Sequence, residues 1–438
     1  MANLKIYLET HGCTMNRADS EAILQILVEA GFKPVFSPDE ADVLLLNTCN
    51  VKQPTEQRML SRARALSALN KPLIITGCMA ATQPALLRKY ASALVGPKSI
   101  GIIADVVRRV LGGERGIEIV EDLSLNKASM KRTSFSRVSA VIPVAEGCLG
   151  KCTYCITRFA RGRLRSFPPD SIIEAIRTRV SEGFKEIYLT AQDLGVYGWD
   201  IGTNISRLLK AIRGIKGRFR VRIGMMNPWA VRRMIDELLD SFSDERIYKF
   251  FHIPVQSGSN KVLRLMRRGY RAEDFLEIVR RIRERYPMST VATDIIVGFP
   301  GETEEDFRQT ISLIQEAEPE VVNISKFGPR PGTQASKMKG LPSKVIKERS
   351  KILSRFCAEI KLRRNSQLIG KEFTVLVTER CREKAQGRTD FYRPVLLDQE
   401  AKLGSFYVVK IVEARSNYLI GEIIEPIEEE VIEAFISK

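Results

Sequence analysis

The sequence lacks the features of a membrane protein and has little histidine for a zinc site. His11 and His252 are the only histidines among its 438 residues. Its longest apolar runs are far shorter than the roughly 18 residues that a membrane-spanning helix needs. The N-terminus has the pattern of a strand, without an apolar leader or a cleavage site. We therefore expect a cytoplasmic protein that has no membrane partner.

Acidic residues are outnumbered by basic ones, and this imbalance restricts the class of partner. The chain holds 69 Lys+Arg and 52 Asp+Glu, which gives a net charge of +17. Such an excess favours a polyanionic partner, with nucleic acid first and an anionic membrane surface second. A basic protein without such a partner fits the charge about equally well. The eight cysteines favour metal ligation or catalysis, because a reducing cytosol disfavours structural disulfides.

The hydrophobic pattern begins with a small α/β unit over residues 1–120. Strands predicted at 5–8, 43–46 and 73–76 alternate with helices at 19–30 and 56–69. This alternation is typical of a doubly wound parallel sheet. A polar, basic stretch at 126–134 is predicted to be a linker to the next unit.

A second strand–helix series over residues 134–368 predicts an incomplete (β/α) barrel. Its strands are predicted at 140–144, 186–190, 220–223, 250–255, 291–297 and 321–325, and a long basic helix follows at about 343–367. From 369 to 428 the pattern changes to short strands separated by turns, which predicts a small antiparallel β-barrel of a kind that often binds nucleic acid. The fold class is therefore α/β with a C-terminal β-barrel, and the acidic tail is predicted to be solvated.

Three cysteines in one short segment form the strongest chemical signal. Cys148, Cys152 and Cys155 lie in GCLGKCTYC (147–155), directly after a predicted strand. Thiolates at these spacings fit one loop around a 4Fe–4S cluster, and three ligands leave one iron open to a small molecule. Zinc is the alternative, because closely spaced cysteines also bind zinc, but a structural zinc site needs a fourth ligand.

A second set of cysteines is spread over the first 80 residues. Cys13, Cys49 and Cys78 each follow a predicted strand of the N-terminal sheet. Loops at the carboxyl ends of parallel strands lie together, so that three thiolates distant in sequence can converge on a second cluster. The alternative for each is a buried cysteine that acts as a small hydrophobic residue. Cys357 and Cys381 stand alone, and we interpret both as structural.

The central loop resembles the signature of the radical S-adenosylmethionine superfamily, and the two cysteine sets together resemble the methylthiotransferase family. The resemblance covers nearly the whole chain and includes LTAQDLGVYG (189–198), HIPVQSGS (252–259) and TDIIVGFPGE (293–302). It implies an N-terminal cluster domain, a radical S-adenosylmethionine barrel and a C-terminal RNA-binding barrel called TRAM. It also implies two 4Fe–4S clusters and S-adenosylmethionine as cofactors.

Several residues in these motifs are candidates for contact with S-adenosylmethionine. They are Tyr154, Gln192, Asp193, Gln256, Ser257, Gly298 and Gly301. The resemblance places the tyrosine beside the adenine; plain packing is the alternative. Polar side chains of the first motif could hydrogen-bond the methionyl ammonium, and those of the second the ribose or carboxylate. The glycines would let backbone approach the cofactor, although turn formation is the alternative for these motif residues.

Within the family, two segments are similar to the archaeal and eukaryotic type. They are NTCNVKQPTE (47–56) and ARGRLRS (160–166). That type converts N6-threonylcarbamoyladenosine at position 37, in the anticodon stem-loop of tRNA, to its 2-methylthio form. The resemblance implies that one S-adenosylmethionine methylates a sulfur at the N-terminal cluster. A second is cleaved at the central cluster to a radical that abstracts hydrogen from C2, which requires an electron donor.

Two other functions stay open at the level of sequence. A ribosomal-protein side chain could be the substrate of the same chemistry, because ribosome-associated proteins are also basic. An RNA-binding protein with structural or redox-sensing clusters would need no catalysis, but four-cysteine ligation would fit that role better.

Four basic residues of the C-terminal segment are candidates for contacts with RNA phosphates. They are Arg380, Arg382, Lys384 and Arg388, which lie in or beside one predicted turn. A solvated loop without RNA contact is an equal alternative.

Overall fold

The computed structural model describes residues 4–381, 384–397 and 401–427, and the statements below concern these residues. Arg382, a predicted RNA contact, and the acidic tail beyond residue 427 lie outside the described residues. Within the described ranges, no helix has both the length and the apolar character of a membrane span.

The N-terminal sheet has six parallel strands and helices on both faces. The strands are β1 (Lys5–Thr10), β2 (Lys33–Val35), β3 (Val43–Thr48), β4 (Leu73–Gly77), β5 (Ala93–Val95) and β6 (Ile117–Ile119). The helices are α1 (Thr14–Glu29), α2 (Gln53–Ser67), α3 (Cys78–Thr82), α4 (Pro84–Leu87) and α5 (Ile103–Leu111). The strand order is β2-β1-β3-β4-β5-β6. Ile23 and Val107 of α1 and α5 are buried on one face and Met59 of α2 on the other, so the predicted doubly wound sheet is confirmed.

The central region contains eight strands and nine α-helices among the described residues. The strands are β7 (Ser139–Pro143), β8 (Ala145–Glu146), β9 (Arg165–Ser166), β10 (Glu186–Thr190), β11 (Arg220–Ile223), β12 (Phe250–His252), β13 (Thr290–Val297) and β14 (Val321–Lys326). The helices are α6 (Thr157–Arg161), α7 (Pro169–Ser181), α8 (Ile205–Ile212), α9 (Pro228–Val231), α10 (Ile235–Ser241), α11 (Asn260–Leu265), α12 (Ala272–Arg285), α13 (Glu304–Ala317) and α14 (Ser343–Ser366).

The long strands of this region form an open barrel. They make two parallel sheets, β7-β10-β11 and β12-β13-β14. Backbone hydrogen bonds of Val221 with Arg246 and Tyr248 join the two sheets. The predicted incomplete (β/α) barrel is therefore confirmed. The carboxyl ends of its parallel strands meet at one rim, which is where barrel enzymes build their sites.

The C-terminal region is a closed five-stranded barrel. Its strands are β15 (Glu372–Cys381), β16 (Lys384–Thr389), β17 (Pro394–Leu397), β18 (Phe406–Ala414) and β19 (Leu419–Ile427), in the closed order β15-β16-β17-β19-β18. Four neighbouring pairs are antiparallel, but β17 and β19 run parallel. The all-antiparallel prediction is wrong at this pair, because β18 runs opposite to both β17 and β19.

The segment predicted as a linker, 126–134, is packed into the molecule at two of its basic residues. The side chain of Lys127 is 1% exposed, and Arg132 is also buried. Arg132 donates from Nη1 to the carbonyl oxygen of Met130 at 3.0 Å. The segment connects the two regions, and its basic composition also serves buried contacts between the N-terminal sheet and the barrel.

Candidate active site

The central cysteine loop is closed at its base and tightly turned. β8 and β9 pair antiparallel on either side of the segment that carries the three cysteines. Gly147 has a φ of +83°, and a Cβ there would lie 1.9 Å from the carbonyl oxygen of Arg163, so only glycine fits. The Sγ atoms of Cys148 and Cys152 lie 3.2 and 3.6 Å from the position that a Cβ would take at Gly150. The loop therefore brings thiols together around a small concave space.

A buried arginine outside the motif contacts this loop. Arg268 follows α11, and its Nη1 donates to Sγ of Cys152 at 2.9 Å. Its Nε donates to the Tyr270 hydroxyl at 2.8 Å and its Nη2 to the Pro254 carbonyl at 3.1 Å, which fixes the guanidinium. A charge-assisted hydrogen bond favours a thiolate and thus a metal-bound sulfur. Sequence reasoning missed Arg268, because no local pattern connects it to cysteines so far upstream.

The N-terminal cysteines lie together at the carboxyl edge of three neighbouring strands. Cys13 follows β1, Cys49 follows β3 and Cys78 begins α3 after β4. The Sγ atoms of Cys13 and Cys78 lie 3.9 and 3.7 Å from Oδ1 of Asn16. A Cβ at Gly12 would lie 2.7 Å from the Cβ of Cys49, which places the third cysteine beside the same loop. Asn16, missed from sequence, is the common neighbour of Cys13 and Cys78.

A buried ion-pair network connects this cysteine set to the barrel. Lys127 pairs with Asp19 and Glu146 at 2.7 and 2.9 Å, and Arg161 pairs with the same carboxylates, each at 2.7 Å. All four side chains are at most 2% exposed. Burial alone would raise the pKa of Asp19, but Arg161 and Lys127 lower it. Because Arg161 Nη2 also donates to Oδ1 of Asn16 at 2.9 Å, a barrel residue fixes the neighbour of the N-terminal thiols.

One cavity of about 450 Å³ is bordered by cysteines from both regions of the chain. Cys13 contributes to its wall from the N-terminal sheet, and Cys148, Cys152 and Cys155 contribute from the barrel. Arg161 also lines it. A ligand in this cavity can therefore contact groups from both regions at once.

Gln192 and Asp193, two predicted cofactor ligands, line this cavity. The Gln192 Oε1 accepts from the Gly147 amide at 2.6 Å, which braces the cysteine loop. Asp193 Oδ1 accepts from the amides of Gly195 and Asn227 at 3.0 and 3.1 Å. Its buried Oδ2 has no hydrogen-bond partner within the described part of the chain. Burial raises the pKa of Asp193 to about 6, so this open acceptor suits a cationic ligand group.

Gln256, Tyr154 and His252 also face this cavity. Gln256 has a left-handed φ of +73°, a conformation that is costly for a non-glycine residue and is often found at functional sites. The ring of Tyr154 packs edge-on against Phe299, with 6.3 Å between centroids. His252 Nε2 lies 3.0 Å from Oδ1 of Asp294, which gives the imidazole a polar partner at the wall.

Three other predicted cofactor residues are absent from the described lining of this cavity. The Oγ of Ser257 is buried and lies 3.4 Å from Oγ1 of Thr310. Gly298 and Gly301 both have positive φ in the turn after β13, and a Cβ on Gly298 would lie 2.5 Å from the Ile346 side chain. Their geometry is that of turn and packing residues.

The geometry of the cysteine sets differs from the one that a single metal ion requires. No three His, Cys, Asp or Glu side chains in the described ranges converge closely enough to hold one ion. In a cubane each thiolate binds a different iron, so its sulfurs lie farther apart than around one zinc. Burial raises the pKa values of Cys148 and Cys78 to about 12. The buried cations Arg268 and Arg161 lie beside the two sets and offset the charge of bound thiolates.

Three family models match successive parts of the chain. The Uncharacterized protein family UPF0004 matches residues 5–96, the Radical SAM superfamily residues 142–314 and the TRAM domain residues 366–424. Their order agrees with the N-terminal sheet, the open barrel and the closed barrel.

Curated relatives match over almost the full length. A probable threonylcarbamoyladenosine tRNA methylthiotransferase of Pyrococcus horikoshii is 43% identical over 424 residues, which are 96% of this chain and 100% of that protein. The human threonylcarbamoyladenosine tRNA methylthiotransferase is 35% identical, over 95% of this chain and 74% of the human protein. The chain belongs to the threonylcarbamoyladenosine tRNA methylthiotransferase family. The resemblance seen in the motifs is therefore confirmed.

A solved structure of another enzyme shares the fold. The radical S-adenosylmethionine methyltransferase TsrM of Kitasatospora setae, with cobalamin and a [4Fe-4S] cluster bound, has a TM-score of 0.57. The match covers 77% of each chain at 15% identity. At that identity the likeness shows the fold alone.

One of the segments that indicated this methylthiotransferase family ties the second cysteine loop to the barrel. Glu56 ends the segment after Cys49, and it forms a buried ion pair with Arg330, which follows β14. Asn50, next to the cysteine, donates to Oε1 of Gln83 at 3.0 Å. The other segment contains Arg161, whose contacts are given above. Both segments thus act at the junction between sheet and barrel.

The predicted RNA contacts on the C-terminal barrel differ from one another. Arg380 and Lys384 are exposed, and Arg380 Nη2 donates to the Ala401 carbonyl at 2.8 Å. Arg388 is instead half-buried, paired with Glu379 at 3.0 Å and stacked on Tyr392 at 5.0 Å from the ring centroid. These contacts lie within the C-terminal barrel, so it is not a free cation on a loop.

Proposed function

We propose that the chain converts N6-threonylcarbamoyladenosine at position 37 of tRNA to its 2-methylthio derivative by radical S-adenosylmethionine chemistry. The observation that carries the proposal is that Cys13 of the N-terminal set and all three cysteines of the central set border one cavity. The names of full-length relatives from archaea and animals support the substrate. The anticodon stem-loop of tRNA is then the macromolecular substrate.

Each cysteine set holds one 4Fe–4S cluster in this proposal. Cys148, Cys152 and Cys155 bind the first and Cys13, Cys49 and Cys78 the second. When bound, the clusters supply the electron that cleaves S-adenosylmethionine and the iron site at which sulfur is methylated.

The chain's own residues bind and orient the small molecules. Asp193 offers its unpaired Oδ2 to the methionyl ammonium, and Gln192 holds the cysteine loop in place through Gly147. Gln256 and Tyr154 contact the rest of the cofactor from the same wall. A substrate bound in the cavity displaces water from it, which protects a carbon radical from side reactions. Ser257, Gly298 and Gly301 support this wall from behind and do not touch the cofactor.

The proposed division of labour follows three domains, 1–120, 134–368 and 369–428. The first holds the sulfur-inserting cluster, the second cleaves S-adenosylmethionine, and the TRAM barrel grips RNA. Since the substrate is tRNA, we place the reaction in the cytoplasm, where a protein electron donor reduces the central cluster.

The direct test uses anaerobically reconstituted protein, S-adenosylmethionine, dithionite and tRNA with or without the threonylcarbamoyl group. Nucleoside mass analysis should find the 2-methylthio product only on the threonylcarbamoyl tRNA, and the Cys381→Ala control should behave like wild type. Equal modification of both tRNAs would contradict the substrate. Methylthiolation of a ribosomal protein instead of tRNA would show that the substrate is a protein side chain. Failure to cleave S-adenosylmethionine would indicate an RNA-binding protein without catalysis.

The RNA grip is tested by the salt dependence of tRNA binding. Each phosphate contact contributes a slope of about −0.7 to −0.9 in log affinity against log salt. Arg380→Gln with Lys384→Gln should flatten that slope by about one to two and weaken binding of any tRNA. If the slope and the affinity are unchanged, Arg380 and Lys384 of the C-terminal barrel do not contact the tRNA.

A further inference from the structure

A second groove opens on the outer side of the central cysteine loop. Its volume is about 490 Å³, and Cys152 and Cys155 line it as well as the inner cavity. Cys148 lines the inner cavity but not the groove. The loop is thus a single layer of chain between the molecular surface and the place where the cofactor and substrate meet.

The rim of this groove carries a strong positive charge. Lys151, Arg158, Arg163 and Arg267 line it and are exposed, and no carboxylate does so among the described residues. None of the four cations forms an ion pair or a side-chain hydrogen bond with another described residue. Four like charges without partners repel one another and are stabilised by an acidic surface placed over them.

An exposed aromatic ring lies on the same rim. Phe159 is 57% exposed and contacts the groove beside Gly332. An apolar group inside a ring of charges is the usual composition of a protein–protein contact, with a small apolar centre and a polar rim. The patch is small, which suits a brief encounter and not a permanent complex.

We propose that this groove is the docking surface for an acidic one-electron carrier protein, which reduces the cluster held by the central loop. The inference rests on the proposed function, since it needs a cluster at Cys152 and Cys155. One electron passes from the reduced carrier to the oxidised cluster, and no bond is made or broken. Because Cys152 and Cys155 border the groove, the electron crosses the shortest protein layer there. The cavity on the other side stays free for S-adenosylmethionine and the adenine.

The test compares two reductants on reconstituted protein. The variant Arg163→Glu/Arg267→Glu reverses two rim charges and leaves the cysteine loop and the inner cavity unchanged. The control Arg108→Glu/Arg207→Glu makes the same change of net charge at exposed positions elsewhere. A reduced, acidic 4Fe–4S ferredoxin is the protein probe and dithionite the small-molecule probe. Cluster reduction is followed by visible absorbance, ferredoxin affinity by titration calorimetry, and tRNA affinity in parallel.

The rim variant should be reduced by ferredoxin at least about tenfold more slowly than the control, with the gap closing at high salt. Its reduction by dithionite and its tRNA affinity should match the control. Equal ferredoxin rates in both variants would overturn the proposal. So would a loss of tRNA affinity alone, which would make the rim an RNA contact, or slower reduction by both probes, which would place the change in the cluster. Protein that binds no iron at all would instead refute the proposed function.

Discussion

The two cysteine sets, which we propose hold one cluster each, are assembled in different ways. The central set lies within one loop, closed by β8 and β9, and its position depends on local chain geometry. The N-terminal set is assembled from three strand ends, and Arg161 of the barrel braces Asn16, the common neighbour of Cys13 and Cys78. The first site is therefore built locally, whereas the second is complete only when sheet and barrel are packed together.

The most severe test of this comparison removes each set in turn. Two 4Fe–4S clusters predict about eight irons per chain. Changing Cys148, Cys152 and Cys155 together to Ala should leave about half the iron and abolish 5′-deoxyadenosine formation, because the cofactor loses its cluster. Iron assay and chromatography of the products provide the readout. Unchanged iron, or zinc in its place, would contradict the assignment.

The complementary change separates cleavage from sulfur insertion. The Cys49→Ala protein should still form 5′-deoxyadenosine but yield no methylthio product, because only the N-terminal set is damaged. Both are measured in the same reaction, with Cys381→Ala as the matched cysteine control. Full product formation by Cys49→Ala would make the N-terminal cysteines structural.

A weaker but still large effect on stability is expected when the ion-pair network between the N-terminal sheet and the barrel is broken. Arg161→Met removes one partner from two buried carboxylates, which costs about 3–5 kcal/mol in the free energy of unfolding. Iron should be lost preferentially from the N-terminal set, because Asn16 loses its brace. Denaturant unfolding and spectroscopy of each cluster measure the two effects. The exposed neighbour change Arg163→Met should alter stability by at most about 0.5 kcal/mol, and equal losses in both variants would contradict the role of the network.

The corresponding change at the central set should be milder and local. Arg268→Lys keeps the charge but loses the fixed fork that reaches Cys152. The reduced cluster carries more negative charge and loses more from the missing hydrogen bond, so its reduction potential should fall by about 60 mV, a tenfold change for one electron. An electron paramagnetic resonance titration measures this, with Arg267→Lys as the control. A shift of the N-terminal cluster instead would contradict the proposed contact.

An effect of similar size is expected at the cofactor wall. Asp193→Asn should raise the KM for S-adenosylmethionine roughly tenfold, about 1.4 kcal/mol, because the ammonium loses its anionic partner. Ser257→Ala should change it less than about twofold, because that hydroxyl packs against Thr310. Steady-state kinetics of both variants measures the two KM values. Equal increases would show that Ser257 also contacts the cofactor.

Features that depend on neighbours in sequence were predictable, and those that depend on packing were not. The central loop is contiguous, and the N-terminal set follows from a general rule for parallel strands. Arg268, by contrast, reaches Cys152 only through the tertiary fold. The same limit explains Lys127, whose polar surroundings in sequence predict a linker although its side chain is buried between two carboxylates. A polar composition does not distinguish solvent from a buried ionic partner.

The strand-end motifs show a second limit. Asp193 and Ser257 both follow predicted strands, and each could serve a ligand or a turn. Only the structure shows that one keeps an unpaired acceptor at the cavity and the other contacts a helix. The parallel pair of β17 and β19 was likewise hidden, since short strands separated by turns do not reveal which pair closes a barrel.

The buried network at Asp19 also has a consequence for the order of events during synthesis. The ribosome makes the N-terminal sheet first, and after its last strand ends at Ile119 it needs roughly two to eight seconds more to reach Arg161, at about 5–20 residues per second. During that interval the nascent sheet holds its three cysteines without the arginine that braces Asn16. Iron and sulfide are therefore expected to reach this set only after the barrel has been translated. Cluster assembly in the N-terminal region is then a late step in the maturation of the enzyme.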